Sequence, residues 1–349
     1  MPKTIVFTTV LSLALFATFV FGFDGRIALS SDGNDHDSDD WGATALSLAI
    51  LARKGLQANV VHYDYASHIW GNSSNSAFPK NIRESALGGA DRFGFDKSRF
   101  YEGTTDLNGA VANIKKEINA SSASDRLYFI IAGPMEVPWM GINAADANKR
   151  QYVTCISHSN WNNDHGKNDH GGHDDDDIRA LGANFVQIKD QNGGFGKQSM
   201  NNWAWLKNMG PNYSWTYDRI DLVYTEGDAS DAGMAYWLLT GGTNGGDQNG
   251  TTSKLREFLK DPVSIQVPNA PKVNKLKVTL SNGIGKVSLK GHTGEGSVKI
   301  FNVKSQLLYE GNLINGRAAF DMRGNSFGVY ILRVVANAQK YEQKYVLGL

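Results

Sequence analysis

Residues 26–54, RIALSSDGNDHDSDDWGATALSLAILARK, decide the fold. Arg26 to Leu29 is a short apolar run of the length and composition of a buried strand. An acidic loop follows, and Gly42 to Lys54 then carries the Ala/Leu pattern of a well-buried helix, with Gly55 as its natural C-cap. Strand, polar loop and buried helix together make the opening unit of an α/β fold. The same alternation continues down the chain. Further strands are predicted at Asn59–Tyr65, Leu127–Ala132, Tyr152–Ile156, Asn184–Ile188 and Asp221–Thr225, with helical stretches at Leu107–Ile118, Ile178–Leu181 and Asn201–Asn208. This order predicts a Rossmann-like, mostly parallel sheet covered by helices on both faces, filling residues 23–260.

The pattern changes beyond that point. Residues 261–275 contain PVSIQVPNAPKVNK, an extended, Pro-containing linker, and residues 276–349 hold short Val/Ile/Leu strands between Gly and Asn turns. Those turns predict a small β-sandwich. The charge divides in the same place. The chain is neutral overall, but Lys272 to Leu349 carry 12 Lys/Arg against 4 Asp/Glu, which leaves the remainder a net −8. An acidic larger unit argues against nucleic acid as its partner, because phosphate binding wants a basic surface.

At the other end, Lys3 and the apolar run Ile5–Phe21 read as a signal peptide over residues 1–22, with a membrane anchor as the alternative. No other segment is long and apolar enough to span a bilayer, so the mature chain is expected to be secreted or attached to the cell surface. Cys155 is the sole cysteine, which excludes an intramolecular disulfide and makes it a buried bystander thiol.

The chemistry gathers in the loop Ser30–Asp40, where Asp32, Asp35, Asp37, Asp39 and Asp40 place five carboxylates in nine residues. Such a cluster invites a hard divalent cation, and calcium takes about 6 to 8 oxygen ligands. Its position, between a strand and the helix that follows, is where open α/β folds bind ligands. It lacks the spacing of an EF-hand. Polar residues recur after nearly every predicted strand: Ser67, His68 and Trp70; Gly133-Pro134-Met135-Glu136; His158, Asn160, Trp161 and His165; Asp190 and Asn192; and Glu226, Asp228 and Asp231. Trp70, Trp139 and Trp161 offer apolar platforms for sugar faces or for packing, whereas Trp203 and Trp205 read as structural. The stretch NDHGGHDDDD, residues 168–177, reads as a flexible insertion.

With these loops in view, residues 26–260 resemble the nucleoside hydrolase superfamily. That family's first strand ends in D-x-D-P-G-x-D-D, whose last pair is matched by Asp39-Asp40. Its later Gly-Pro-Leu-Thr-Asn turn is matched by Gly133-Pro134-Met135-Glu136, and its late aspartate by Asp231, with Asp228 as fallback. The resemblance implies a calcium site held by Asp32, Asp35, Asp37, Asp40, Glu136 and Asp231. An ungapped register puts Asp35 at the base position, and a three-residue insertion puts Asp32 there, nearer the strand end. The family's D-P-G is absent, and HSNWNNDH and EGDASDAG depart from nucleoside-binding sequences. The tail, from KIFN to FGVYILRV and a final Lys-containing strand, resembles the sorting domains of the type IX secretion pathway, with a carbohydrate-binding module as the alternative.

The resulting expectation is a secreted, calcium-dependent glycosidase acting on a polysaccharide, agar-type among the candidates, or on its oligosaccharides. A metal-bound water deprotonated by Asp32 or Asp37 attacks the anomeric carbon with inversion. Glu136, Glu226 or His158 protonates the leaving group, and His68, Trp70, Asn160, Trp161, His165, Asn192 and Asp228 bind the sugar. A nucleoside N-ribohydrolase and a non-catalytic calcium-dependent carbohydrate-binding protein are the alternatives.

Overall fold

The computed structural model describes residues 23, 25–224, 227–260, 276–281, 284–290, 292–302, 306–323, 328–336 and 339–347. The expected signal peptide (1–22), the linker (261–275) and Glu226 lie outside them. Six strands form the first sheet: β1 (Arg26–Ser31), β2 (Val60–Tyr65), β3 (Phe100–Glu102), β4 (Leu127–Ala132), β5 (Val153–Ser157) and β6 (Asn184–Gln187). Their order is β3-β2-β1-β4-β5-β6, and every neighbouring pair is parallel.

Side chains show why the sheet is covered on both faces. Along β1 and β4, Ile27, Leu29, Ile130 and Ala132 join the core that includes the helix Asp39–Arg53. Their alternates Ala28, Leu127, Phe129 and Ile131 join a second core with the helices Leu107–Asn119 and Glu136–Ala144. Strands with both faces buried read as continuous apolar runs, as these do. In the helix Asp39–Arg53 every residue from Asp40 onward is buried, so it shows no polar stripe. Among the described residues no helix is long and apolar enough to cross a membrane.

Three predicted elements differ. Asp221–Thr225 is not a strand among its described residues: the helix Pro211–Asp221, begun by a proline at its first turn, runs into it. Leu222 and Tyr224 then stand 49% and 63% exposed, so that apolar run finds no sheet to join. Asn201–Asn208 tightens into two 3-10 turns, Met200–Asn202 and Ala204–Met209, around the buried Trp203, whose indole donates to the Gly227 carbonyl. The stretch 168–177 is an ordered connection. Helix Asn160–His170 ends at Gly171 in the left-handed region, and Asp174 and Asp177 form a reciprocal capping box that starts the helix Asp175–Ala180.

Among the described residues the C-terminal unit has seven antiparallel strands in the order β13-β12-β9-β10-β11-β8-β7: β7 (Leu276–Ser281), β8 (Ile284–Leu289), β9 (Glu295–Asn302), β10 (Leu307–Ile314), β11 (Arg317–Asp321), β12 (Gly328–Ala336) and β13 (Gln339–Leu347). The expected β-sandwich is met in its coarser form, an antiparallel β unit, in which β13-β12-β9-β10 and β11-β8-β7 are joined through the single registered pair Ile314–Arg317. Residues from β8 to β12, including Val287, Val298, Leu313, Phe320 and Leu332, share a single core, so the sheet curls around it.

In the first sheet the chain moves outward from β1 through β2 to β3, then crosses to β4 on the other side of β1. The carboxyl ends of β1 and β4 therefore flank a topological switch point, where such sheets hold their ligands.

Candidate active site

Asp32 is the first residue beyond β1, and its amide still donates to the Ala132 carbonyl of β4 at 3.1 Å, which ties it to the sheet. Gly133, at φ +138°, closes β4, and a Cβ there would stand 3.1 Å from the Cβ and Cγ of Asp32. Glycine is required by that backbone conformation, and the Asp32 side chain leaves a Cβ little room. Gly33 at φ +64° then turns the loop back, and the Trp41 indole clamps it by donating to the Gly33 carbonyl at 2.8 Å. The turn brings Asp37, Asp39 and Asp40 to Asp32.

Carboxylate oxygens of Asp32, Asp37 and Asp40 lie within 4.8 Å of one another, and so do those of Asp39, Asp40 and Asp231. Burial pushes the Asp32 carboxyl up to about 6, although hydrogen bonds to Asp40 and the Gly33 amide oppose the shift. Burial likewise pushes Asp37 up to about 7. Asp39 and Asp40 stand well above the usual carboxylate range, through burial first and then repulsion from Asp37 and Asp32 respectively. The buried oxygens Asp39 Oδ1 and Asp40 Oδ1 have no hydrogen-bond partner. Orphaned, crowded carboxylate oxygens fit a hard divalent cation, which would replace the protons they otherwise share.

Asp231 is held from the opposite side. His158, just after β5, places Nε2 2.7 Å from Asp231 Oδ1, and Asn162 Nδ2 donates to the same oxygen at 3.0 Å. The Gln191 amide donates to His158 Nδ1 at 3.3 Å, so the ring carries its proton on Nε2 and donates it to Asp231. Burial opposes the charged imidazole, but Asp231 outweighs it and raises the His158 pKa. Asp228, 4% exposed and raised by burial, accepts the Ser230 amide at 3.1 Å.

The loops after β2 and β5 meet beside this cluster. His68, Trp70, Trp161 and His165, expected at the sugar site, are brought together with His36 and His170. Trp161 stacks on His165 at 4.0 Å between ring centroids, Trp70 stacks on His170 at 4.4 Å, and His36 packs edge-on against Trp161 and His165. Asn34, fully buried, joins the two regions. Its side chain donates to the carbonyls of His68 and Gly71 and to Asn72 Oδ1, and accepts the His68 amide. Replacing Asn34 with Ala is expected to lower stability by about 2–4 kcal/mol, read from the denaturant midpoint, because each lost bond is worth about 1 kcal/mol and buried partners are left unpaired. An unchanged midpoint would mean the loop 68–72 is held by something else.

Other expected residues sit elsewhere. Glu136, expected as a calcium ligand and acid, is not among the clustered carboxylates: its Oε2 accepts the backbone amide and Nδ1 of His173, both at 2.8 Å. Helix Glu136–Ala144 begins at this residue and turns it toward the 171–173 segment. Asp35, on the loop turned at Gly33, faces the histidines and not the carboxylate cluster, with Oδ2 2.9 Å from His36 Nδ1 and 3.7 Å from His68 Nε2. Asn160 accepts from Gln187 at the β6 side, and Asn192 lies exposed with its amide on Asp190; neither contact reaches the carboxylates. Cys155 is fully buried in β5, where burial pushes its thiol up to about 12. The sequence reading counted Asp39 in the acidic cluster without naming it a ligand, and it assigned no catalytic or binding role to His36 or Asn162. Asp39 was legible in the Asp39-Asp40 pair, whereas Asn162 becomes apparent only once β5 and Asp231 are brought together.

No family model matches the chain. It is 32% identical over 254 residues to Uncharacterized protein P22 of Formosa agariphila, a match covering 68% of this chain and 91% of that protein. Among solved structures, a DUF3244-family protein of Bacteroides vulgatus with an immunoglobulin-like β-sandwich is 9% identical, over 21% of this chain and 83% of that one, with a TM-score of 0.20. An engineered protein is 8% identical over 93% of each chain with a TM-score of 0.17. Likenesses this slight carry no argument about either unit.

Proposed function

Because this chain belongs to the same family as protein P22, whose name assigns no activity, we propose its function from the site itself: a calcium-dependent glycoside hydrolase acting on a polysaccharide or its oligosaccharides. The observation that carries the proposal is the convergence of Asp32, Asp37, Asp39, Asp40 and Asp231 at the switch point beside an aromatic and histidine-lined rim. The fit to a cation rests on the orphaned oxygens of Asp39 and Asp40. Asp32, Asp37, Asp39, Asp40 and Asp231 would hold it, and when bound it would supply positive charge that orients hydroxyls and stabilises an anionic nucleophile.

The chain's own groups divide the remaining work. Asp32, buried at the end of β1, and the half-buried Asp37 are the carboxylates assigned to remove a proton from an attacking water. His158 is a positioning residue, since both ring nitrogens are committed and it orients Asp231. Glu136 is likewise committed to His173. Leaving-group protonation is assigned to His36, a solvent-facing imidazole next to Asp37 in sequence and hydrogen-bonded to Asp35. The faces of Trp70 and Trp161 turned away from their histidines bind sugar rings. Replacing His36 with Gln is expected to lower turnover of natural glycosides about 10²-fold or more while sparing aryl glycosides, whose leaving groups need no proton. Equal losses on both substrates would remove His36 from that role.

The N-terminal run and the curled C-terminal sheet support export and surface attachment, with the tail serving as a type IX sorting module. The activity is tested by product release from algal and plant polysaccharides and from free nucleosides, with calcium and with chelator. Calcium-dependent release of oligosaccharides is expected. Free nucleobase would make the enzyme a nucleoside hydrolase, and calcium-dependent glycan binding without any product would make it a binding protein.

A further inference from the structure

Next to the carboxylates lies a second group whose chemistry is different. His68 follows β2, while His165 and His170 lie on the helix Asn160–His170, and one ring nitrogen from each lies within 4.8 Å of the others. We infer that His68, His165 and His170 form a transition-metal site of the zinc class, separate from the calcium-type cluster and independent of the hydrolase reading.

The tautomers carry the argument. His68 Nδ1 lies 3.2 Å from the Gly71 carbonyl, which can only accept, so the proton is on Nδ1 and the lone pair is on Nε2. His165 Nδ1 lies 2.7 Å from the Asp169 carboxylate, which fixes the same tautomer. Both rings therefore aim an Nε2 lone pair into the group, each with its outer N–H held by an oxygen, the arrangement that orients metal-bound histidines. His68 Nε2 meets His170 Nε2 at 3.1 Å. The His165 ring is 4% exposed, yet its Nε2 is buried with no hydrogen-bond partner. An orphaned buried acceptor costs about 1–3 kcal/mol, and a hydrogen bond between His68 and His170 does nothing to relieve it. A cation at the centre satisfies all three nitrogens.

The dimensions agree. Zinc–nitrogen bonds of about 2.0–2.1 Å in a tetrahedron put ligand nitrogens about 3.3 Å apart. The His68–His170 separation already meets this, and all three nitrogens lie within 4.8 Å of one another. Asp35 is the fourth ligand available, with Oδ2 3.7 Å from His68 Nε2 and held by His36 at 2.9 Å. Imidazole with one carboxylate selects zinc or a similar borderline metal over calcium, which prefers an all-oxygen shell. The stacked Trp70 and Trp161 fix the ring planes of His170 and His165.

The test titrates Zn²⁺ into chelator-stripped full-length protein in excess calcium, by calorimetry and by competition with a chromophoric chelator. Co²⁺ serves as a spectroscopic probe of tetrahedral geometry. One zinc per chain is expected, weakened at least about tenfold in His165→Ala and in His170→Ala, and unchanged in Asp40→Asn. Circular dichroism establishes that each variant is folded, and His170, at the helix end, keeps the test valid if His165→Ala does not fold. The inference is overturned if the wild type binds no zinc, if zinc binding survives in the folded histidine variants, or if it is lost in Asp40→Asn or displaced by calcium.

Discussion

Replacing Asp32 with Asn is expected to lower turnover by about 10²–10⁴-fold while leaving the chain folded. Asn keeps the shape of the side chain, and its carbonyl oxygen can accept the Gly33 amide as Asp32 Oδ1 does at 2.7 Å. It cannot, however, take a proton from water, and it removes one charge from the cation's ligand set. The variant separates catalysis from fold in a second way. Burial holds the Asp32 carboxyl at about 6, so its charged form is strained at neutral pH. In chelator, Asp32→Asn should therefore unfold at the same temperature as the wild type or a higher one. A variant that loses activity and melts much earlier would place Asp32 in the scaffold.

Removing calcium is the second large effect, and its dependence on pH follows from the carboxyls. In the folded chain Asp32 sits at about 6 and Asp37 at about 7, both above their ordinary value of 3.8. An acid whose pKa is raised by folding binds its proton more tightly in the native state. Its stabilising contribution is complete below about pH 4 and is lost as pH rises through 6 and 7. Asp39 and Asp40, raised further by burial, act in the same direction. Chelated protein is thus expected to melt at progressively lower temperature between pH 4 and 7. Calcium at about 100 times its dissociation constant should restore about 3 kcal/mol at neutral pH, a rise on the order of 5–10 °C, and little at pH 4. Thermal melts across that range check it, and a calcium effect equal at both ends would place the ion away from these carboxylates.

Much of this was legible in the sequence because periodicity and position carry it. The run from Arg26 to Lys54 has only one good solution, a buried strand and a buried helix joined by an acidic turn, and the structure places them so. The polar residues after β1, β2 and β5 converge because parallel strands bring every such loop to one edge. What failed was local. Asp221–Thr225 has the composition of a strand, but a helix begun by Pro211 takes its first residue. The stretch 168–177 looks disordered by composition, yet left-handed Gly171 and the Asp174–Asp177 box make it a defined turn that sets His170 against His68. Asp35 and Asp37, two residues apart, serve different clusters, because a loop that reverses at Gly33 has no fixed periodicity to read.

The central claim is that the carboxylates at the end of β1 form a cation-dependent hydrolytic centre. The most direct test follows reducing-end release from a responsive glycan as calcium is added back to chelated wild type and to Asp32→Asn. The account predicts activity that rises with calcium to saturation in the wild type and stays near background in the variant. Release that is indifferent to calcium, or equal in the two proteins, would contradict it.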